Sequence, residues 1–350
     1  MKFARPTWLP SYLPELDGLR GLAILFVVLY HCHPRLTGTR LHGLAMWGWS
    51  GVTLFFFLSG FLITCNLLGA RAKPRYFHNF HARRALRIWP VYLLLLIFVY
   101  AEAPWYVGLP VWNAVRTAPW WAYLLFLQNL FPLALPPALG PTWALAIEEQ
   151  YYFVWAPVVR WLRNPAILAA PLAAAMIAAP LMRKVHPHWI TPTHTLIHLD
   201  GLALGSLLAI GMYTLSLSRR AWLSLGLVSF IAGTIAVFTI ASGTAYLDTA
   251  LAFGYGGIVL ALAASAGAHN PLNQLLRRGP LAFYGKISYG LYMTHIATFI
   301  FFGWFDVKMD PYGTAGNLTI VAFRFAMATL VATVLWYGFE SRILKLKRYF

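Results

Sequence analysis

Charge is what this sequence lacks most. Only 11% of its 350 residues are charged, and 10 acidic residues face 27 basic ones. Soluble globular chains carry roughly a quarter charged residues, so an ordinary water-soluble domain is excluded. Cysteine is scarce too: Cys32 and Cys65 are the two. They fall near the ends of the first and second apolar segments, at opposite faces if those run antiparallel, so two free thiols are expected and no disulfide framework. No GxGxxG follows a strand, and neither GxxxxGK[ST] nor HExxH occurs, so a nucleotide fold and a zinc site are not expected. The first residues, MKFARPTWLPSYLPELDG, lack an apolar run, which argues against a cleavable signal. Internal repeats are absent as well.

What is present is apolar. Hydrophobic residues make up 60% and the mean hydropathy is +0.64. Membrane helices are expected at about 17–34, 45–69, 88–102, 142–163, 165–183, 198–217, 221–241, 246–268, 286–304 and 318–341. The segment 120–135 is short for a span, holds Gln128 and Asn129, and is enclosed by prolines. If it does not cross, the basic loops at 71–87, 160–163, 219–220, 277–286 and 342–348 share one side with Lys2 and Arg5. The expected fold is therefore an all-α polytopic membrane helical bundle of about ten transmembrane helices, both termini cytoplasmic. The formal charge of +17 belongs to this positive-inside pattern, with membrane lipids as neighbours and no nucleic-acid partner.

Several polar residues lie within or beside these apolar segments. RGLAILFVVLYH, 20–31, places Arg20 and His31 eleven positions apart, close to three turns, hence on one helix face about 16 Å apart. The pair marks either the two ends of a membrane helix or a polar face turned to a cavity. Arg84 and Arg87, in RRALRIWP, share a face and suit a phosphate cluster, although a basic cytoplasmic loop would look the same. Glu148 and Glu149 point about 100° apart, so one pocket cannot hold both closely. Ser288, Tyr292 and His295 form a polar stripe, readable as a hydrogen-bond seam between helices. Ser59-Gly60 reads as a site of close helix packing, while Asp200 and Arg324 are intramembrane charges needing partners.

Taken in order, LDGLRGLAILFVVLYH (16–31), GVTLFFFLSGFLIT (51–64), RRALRIWP (83–90), TWALAIEEQYYF (142–153) and ISYGLYMTH (287–295) resemble the acyltransferase-3 family of integral membrane acyltransferases. Arg20 and His31 meet that family's Arg/Lys-X10-His signature, and Arg84 and Arg87 its Arg-X-X-Arg. Two positions depart: Thr53 stands where relatives often have Asp, and Ala144 where they often have Ser. The resemblance implies one membrane acyltransferase domain over 1–350, without the SGNH-type domain many relatives append, in a bacterial inner membrane. It implies transfer of an acyl group, acetyl being the expected one, from cytoplasmic acyl-CoA to a hydroxyl of an extracytoplasmic saccharide such as O-antigen or a lipid-linked glycan. No tightly bound cofactor and no metal are expected.

On that reading His31 is the general base, Glu148 orients it and Arg20 lines the donor channel. Arg83, Arg84 and Arg87 hold the CoA phosphates, and Ser59, Tyr292, His295 and Asp200 line the substrate channel. The competing class is a transporter or flippase of a polyprenyl-linked glycan or small anion, which would favour inverted repeats.

Overall fold

A computed structural model describes residues 3–106, 118–131, 135–185, 190–240, 244–268 and 270–350, with the backbone alone over 101–106. Every regular element among them is helical. Ten helices of 16 residues or more occur in this order: α1 Pro14–His31, α2 Ser50–Ala70, α3 Tyr76–Tyr106, α4 Thr142–Trp161, α5 Pro165–Val185, α6 Leu199–Thr214, α7 Arg219–Thr239, α8 Leu247–Ala264, α9 Gly279–Phe301 and α10 Gly313–Leu335. Five helical stretches are long and apolar enough to cross a membrane: Leu41–Ala70, Pro165–Val185, Arg219–Thr239, Leu247–Ala264 and Gly303–Tyr349.

Local sequence explains where these helices begin. Pro14 opens α1, its missing N–H costing nothing there, and Glu15 and Asp17 oppose the positive end of the helix dipole. Ser218 caps α7 by accepting from the Ala221 amide. Pro157 lies inside α4, and Pro171 and Pro180 inside α5, without ending either helix. Phe238, 84% exposed, and Val228, 63% exposed, lie on α7, a surface composition suited to lipid rather than water.

Two expected segments change in extent. The third helix starts at Tyr76 rather than near 88, because its first three turns are basic and a hydropathy reading detects only the apolar part. In the second segment, a short helix Leu41–Met46 and a 3-10 turn Trp47–Trp49 precede α2. The described part of 120–135 holds a five-residue helix, Trp120–Leu124, and a 3-10 turn at Gln128–Leu130, neither of crossing length. Its amide groups donate within the protein, Gln128 to the Thr142 carbonyl (3.1 Å) and Asn129 to the Thr195 hydroxyl (2.9 Å), while the buried Gln128 Oε1 has no partner among the described residues.

Glycines set the closest helix approaches. A Cβ on Gly21 of α1 would sit 2.1 Å from the Leu281 carbonyl oxygen of α9, and one on Gly285 of α9 would sit 2.0 Å from that of Asp17. A Cβ on Gly60 of α2 would sit 2.0 Å from the Leu202 carbonyl oxygen, so the Ser59-Gly60 step is a close backbone approach to α6. Gly285→Ala should therefore force α1 and α9 apart, costing about 1–3 kcal/mol. Thermal unfolding of the detergent-solubilised protein measures this. Gly303→Ala, where an added methyl meets nothing within 4 Å, should leave the midpoint unchanged.

Candidate active site

The close passage of α1 and α9 brings together two histidines that sequence spacing could not pair. Nε2 of His295 lies 3.2 Å from Nδ1 of His31. Their tautomers follow from their other neighbours, since a carbonyl oxygen only accepts. His295 Nδ1 is 2.8 Å from the Tyr292 carbonyl, so it carries the proton and Nε2 is the acceptor. His31 Nδ1 is 2.9 Å from the Val27 carbonyl, so it too is protonated, and its N–H is shared with His295. Nε2 of His31 is then the unprotonated nitrogen, and it has no partner among the described residues. His295 is fully buried, whereas His31 is half-buried.

Behind this pair lies a cavity of about 1530 Å³. Its walls come from α1, α2, α3, α4, α9 and the C-terminal segment. Ten Lys or Arg side chains line it, against two Asp or Glu carboxylates, those of Asp17 and Glu148. Arg20, Arg83, Arg84 and Arg87 are all on the wall, as are Ser59 and Tyr292. At one end the lining stops at Tyr292 and Met293, and the Tyr292 ring has its centre 6.1 Å from that of His295 and 5.9 Å from that of Phe55. One aromatic layer thus separates the cavity from the histidine pair.

The arginines differ in how they are held. Arg84 lies over the Tyr152 ring at 3.7 Å and forms a 3.3 Å ion pair with Glu149. Arg20 is 3.6 Å from Asp17, one turn back on its own helix. Arg83 and Arg87 form no ion pair among the described residues, so their guanidiniums are available to an anion. Glu148 and Glu149 do diverge, Glu148 alone facing the cavity.

Three assignments made from sequence differ from this geometry. Glu148 does not orient His31: it accepts the Ser59 hydroxyl at 2.5 Å, and the ring's partner is His295 instead. Asp200 is not on the cavity wall; it is bound by Arg183 (2.7 Å) and by the Thr249 hydroxyl (2.5 Å), an ion pair that ties α5, α6 and α8 together. His295 is not on that wall either, because Tyr292 covers it. The stripe of Ser288, Tyr292 and His295 divides: Ser288 bonds back to the Gly285 carbonyl, the Tyr292 ring packs on Phe55 of α2, and His295 alone of the three bonds to another helix through its side chain. Arg324 finds its partner in Asp306, which also lies 3.5 Å from Arg35.

Sequence reasoning missed Tyr152, Tyr289 and Lys347 on the cavity wall. Tyr152 had a signal, lying on the Glu148 side of its helix one turn further on, whereas Lys347 looked like one more basic residue of a tail.

Comparison with known proteins gives this arrangement a family. The sequence profile of the acyltransferase-3 family, described as an acyltransferase domain, matches residues 13–337. The peptidoglycan O-acetyltransferase OatA of Listeria monocytogenes is 27% identical over 316 residues, covering 81% of this chain and 49% of its own. The putative peptidoglycan O-acetyltransferase YrhL of Bacillus subtilis is 28% identical, covering 81% and 48%. The O-acetyltransferase OatA of Staphylococcus aureus is 26% identical, covering 96% and 58%. The chain spans about half the length of the curated relatives it matches. No solved structure matches it. With the family profile spanning nearly the whole helical bundle and both histidines, the chain belongs to the acyltransferase-3 family.

Proposed function

We propose that this protein is a membrane O-acetyltransferase that takes an acetyl group from cytoplasmic acetyl-CoA and places it on a hydroxyl of an extracytoplasmic saccharide. The observation that carries this reading is a cation-lined cavity ending one aromatic ring short of a histidine pair. Coenzyme A is a polyanion with a long thin arm, so arginines far from the reacting centre suit it. The relatives' names support a saccharide acceptor, peptidoglycan among them. All ten long helices are taken to cross the bilayer, with both termini and the cavity mouth on the cytoplasmic side.

In this mechanism the diphosphate rests on Arg84 and Arg87, with Arg83 at the rim and Arg20 deeper in. The thioester passes the Phe55–Tyr292 layer to His31. Nε2 of His31 removes the acceptor proton as the hydroxyl oxygen attacks the thioester carbonyl. The tetrahedral intermediate collapses, the C–S bond breaks, and the imidazolium returns its proton to the departing thiolate. His295, a neutral acceptor for the His31 Nδ1–H, fixes that ring's tautomer and direction, the role a carboxylate plays in a triad. Glu148, held by Ser59, shapes the passage below Tyr292.

Topology is tested by single cysteines in a background lacking Cys32 and Cys65. Leu196→Cys should react with an impermeant thiol reagent in intact cells, and Ser218→Cys only after lysis; reaction of both in intact cells overturns the orientation.

For chemistry, His31→Ala and His31→Gln should both insert normally and transfer no acetyl group. The exchange Tyr30→His with His31→Tyr keeps composition and hydropathy but turns the imidazole about 100° away, and should be equally inactive. His295→Phe should retain slight activity, with kcat down about 100-fold and KM for the donor unchanged, because only ring orientation is lost. Wild-type rates in the exchanged protein would show His31 to be a bystander.

For donor binding, Arg84→Ala or Arg87→Ala should weaken acetyl-CoA binding by about 1.5–3 kcal/mol each, the worth of a charge-assisted contact. Titration of the purified variants measures it. Unchanged affinity would mean that these arginines serve insertion alone.

A further inference from the structure

The cavity's cations include two groups at different levels along α4. Arg20, Arg84 and Arg87 lie in the inner group, where Arg84 stacks on Tyr152 of α4. Arg160 and Arg163 lie at and just beyond the C-terminal end of the same helix, and both line the cavity. Arg160 is eight residues past Tyr152, about 12 Å further along the axis. Neither outer arginine has a hydrogen bond or ion pair among the described residues. Beside them Arg71 is committed elsewhere: its Nη2 donates to the Leu162 carbonyl at 2.5 Å and fastens the end of α2 to the end of α4. That bond holds the chain between Arg160 and Arg163 in place.

Positive-inside topology accounts for a cation in a watery loop, as exposed Arg163 is, but gives no reason for a half-buried, unpaired Arg160 lining the same cavity. Like charges three residues apart on one cavity repel, so an anion that bridges them is favoured. A doubly charged phosphate monoester with three free oxygens suits a pair of planar forks better than a singly charged diester does.

We propose that Arg160 and Arg163 bind the ribose 3′-phosphate of the coenzyme A thioester, while the inner arginines hold its diphosphate. The proposal rests on the acetyl-CoA donor reading above and adds to it the feature by which the nucleotide end is selected. A phospholipid headgroup offers the same phosphate chemistry as a diester, and the experiment separates the two.

Purified protein in nanodiscs of zwitterionic lipid is titrated with CoA and with 3′-dephospho-CoA. The wild type should bind CoA about tenfold or more tightly than the dephospho compound. The double variant Arg160→Ala, Arg163→Ala should bind both equally, at the wild-type affinity for 3′-dephospho-CoA, which also shows that the inner site is intact. Arg160→Lys with Arg163→Lys should keep part of the preference, since charge persists without the fork. The titrations are repeated with anionic lipid in the disc, and the preference should persist there. A wild type binding both compounds equally overturns the 3′-phosphate assignment but leaves the donor reading standing. A wild type binding neither compound defeats the donor reading itself. A preference abolished by anionic lipid, with variants altering only that lipid effect, assigns the pair to headgroups.

Discussion

Everything at the centre of this molecule depends on how closely α1 and α9 approach. Gly21 and Gly285 remove the side chains that would hold the two backbones apart, and an added Cβ at either would collide with a carbonyl of the other helix. Gly18 meets Leu276 just ahead of α9, Gly21 meets Leu281 and Gly285 within it, and His31 meets His295 further on, so the two helices run parallel. His31 and His295 each stand ten residues beyond this crossing glycine pair, about 15 Å at helical rise. Equal distance on parallel helices brings the two rings to one level. The 3.2 Å contact between them is thus set by glycine placement well away from it. Bilayer physics favours this device, since lipid gives helices no hydrophobic reason to associate and small residues supply the van der Waals contact instead.

The second constraint is a shortage of acid. With 10 acidic residues against 27 basic ones, the chain cannot pair its cations everywhere. Three of the carboxylates hold partly buried arginines between elements: Asp200 on Arg183, Asp306 on Arg324, Glu15 on Arg277. An unpaired guanidinium at those places would be costly. The cavity walls receive almost none, and positive charge is left facing an open space. Such an imbalance is tolerable only in water or against an anionic ligand, which gives the cavity its binding character before any particular ligand is considered.

How much of this was legible in the sequence depends on whether one helix or two was involved. Arg20 and His31 could be put on one face because 3.6-residue periodicity is internal to a segment, and the divergence of Glu148 from Glu149 followed from the same geometry. Contacts between helices were not accessible in that way. Glu148 reads as a natural partner for an imidazole, yet a hydroxyl from α2 takes it, and the imidazole finds another imidazole from α9. Asp200 is legible as an intramembrane charge needing a partner, but nothing in the spacing selects Arg183, seventeen residues earlier on another helix. The basic N-terminal extension of α3 is hidden because hydropathy reports the apolar part of a helix and not the polar turns that continue it.

These features explain why His31, the base on the proposed reading, stands outside the cavity. On the proposed reading, donor and acceptor come from opposite sides of a membrane, and a continuous opening through the protein would leak ions and let water reach the thioester. A base on the cavity wall would be exposed to that donor-side water throughout. Placing the half-buried His31 beyond the Phe55–Tyr292 layer separates it, on that reading, from donor-side water. The cost is that its orienting partner must be found within dry protein, where an ionised carboxylate would be strongly disfavoured. A second neutral imidazole, its own proton held by a backbone carbonyl, meets that requirement without adding a charge.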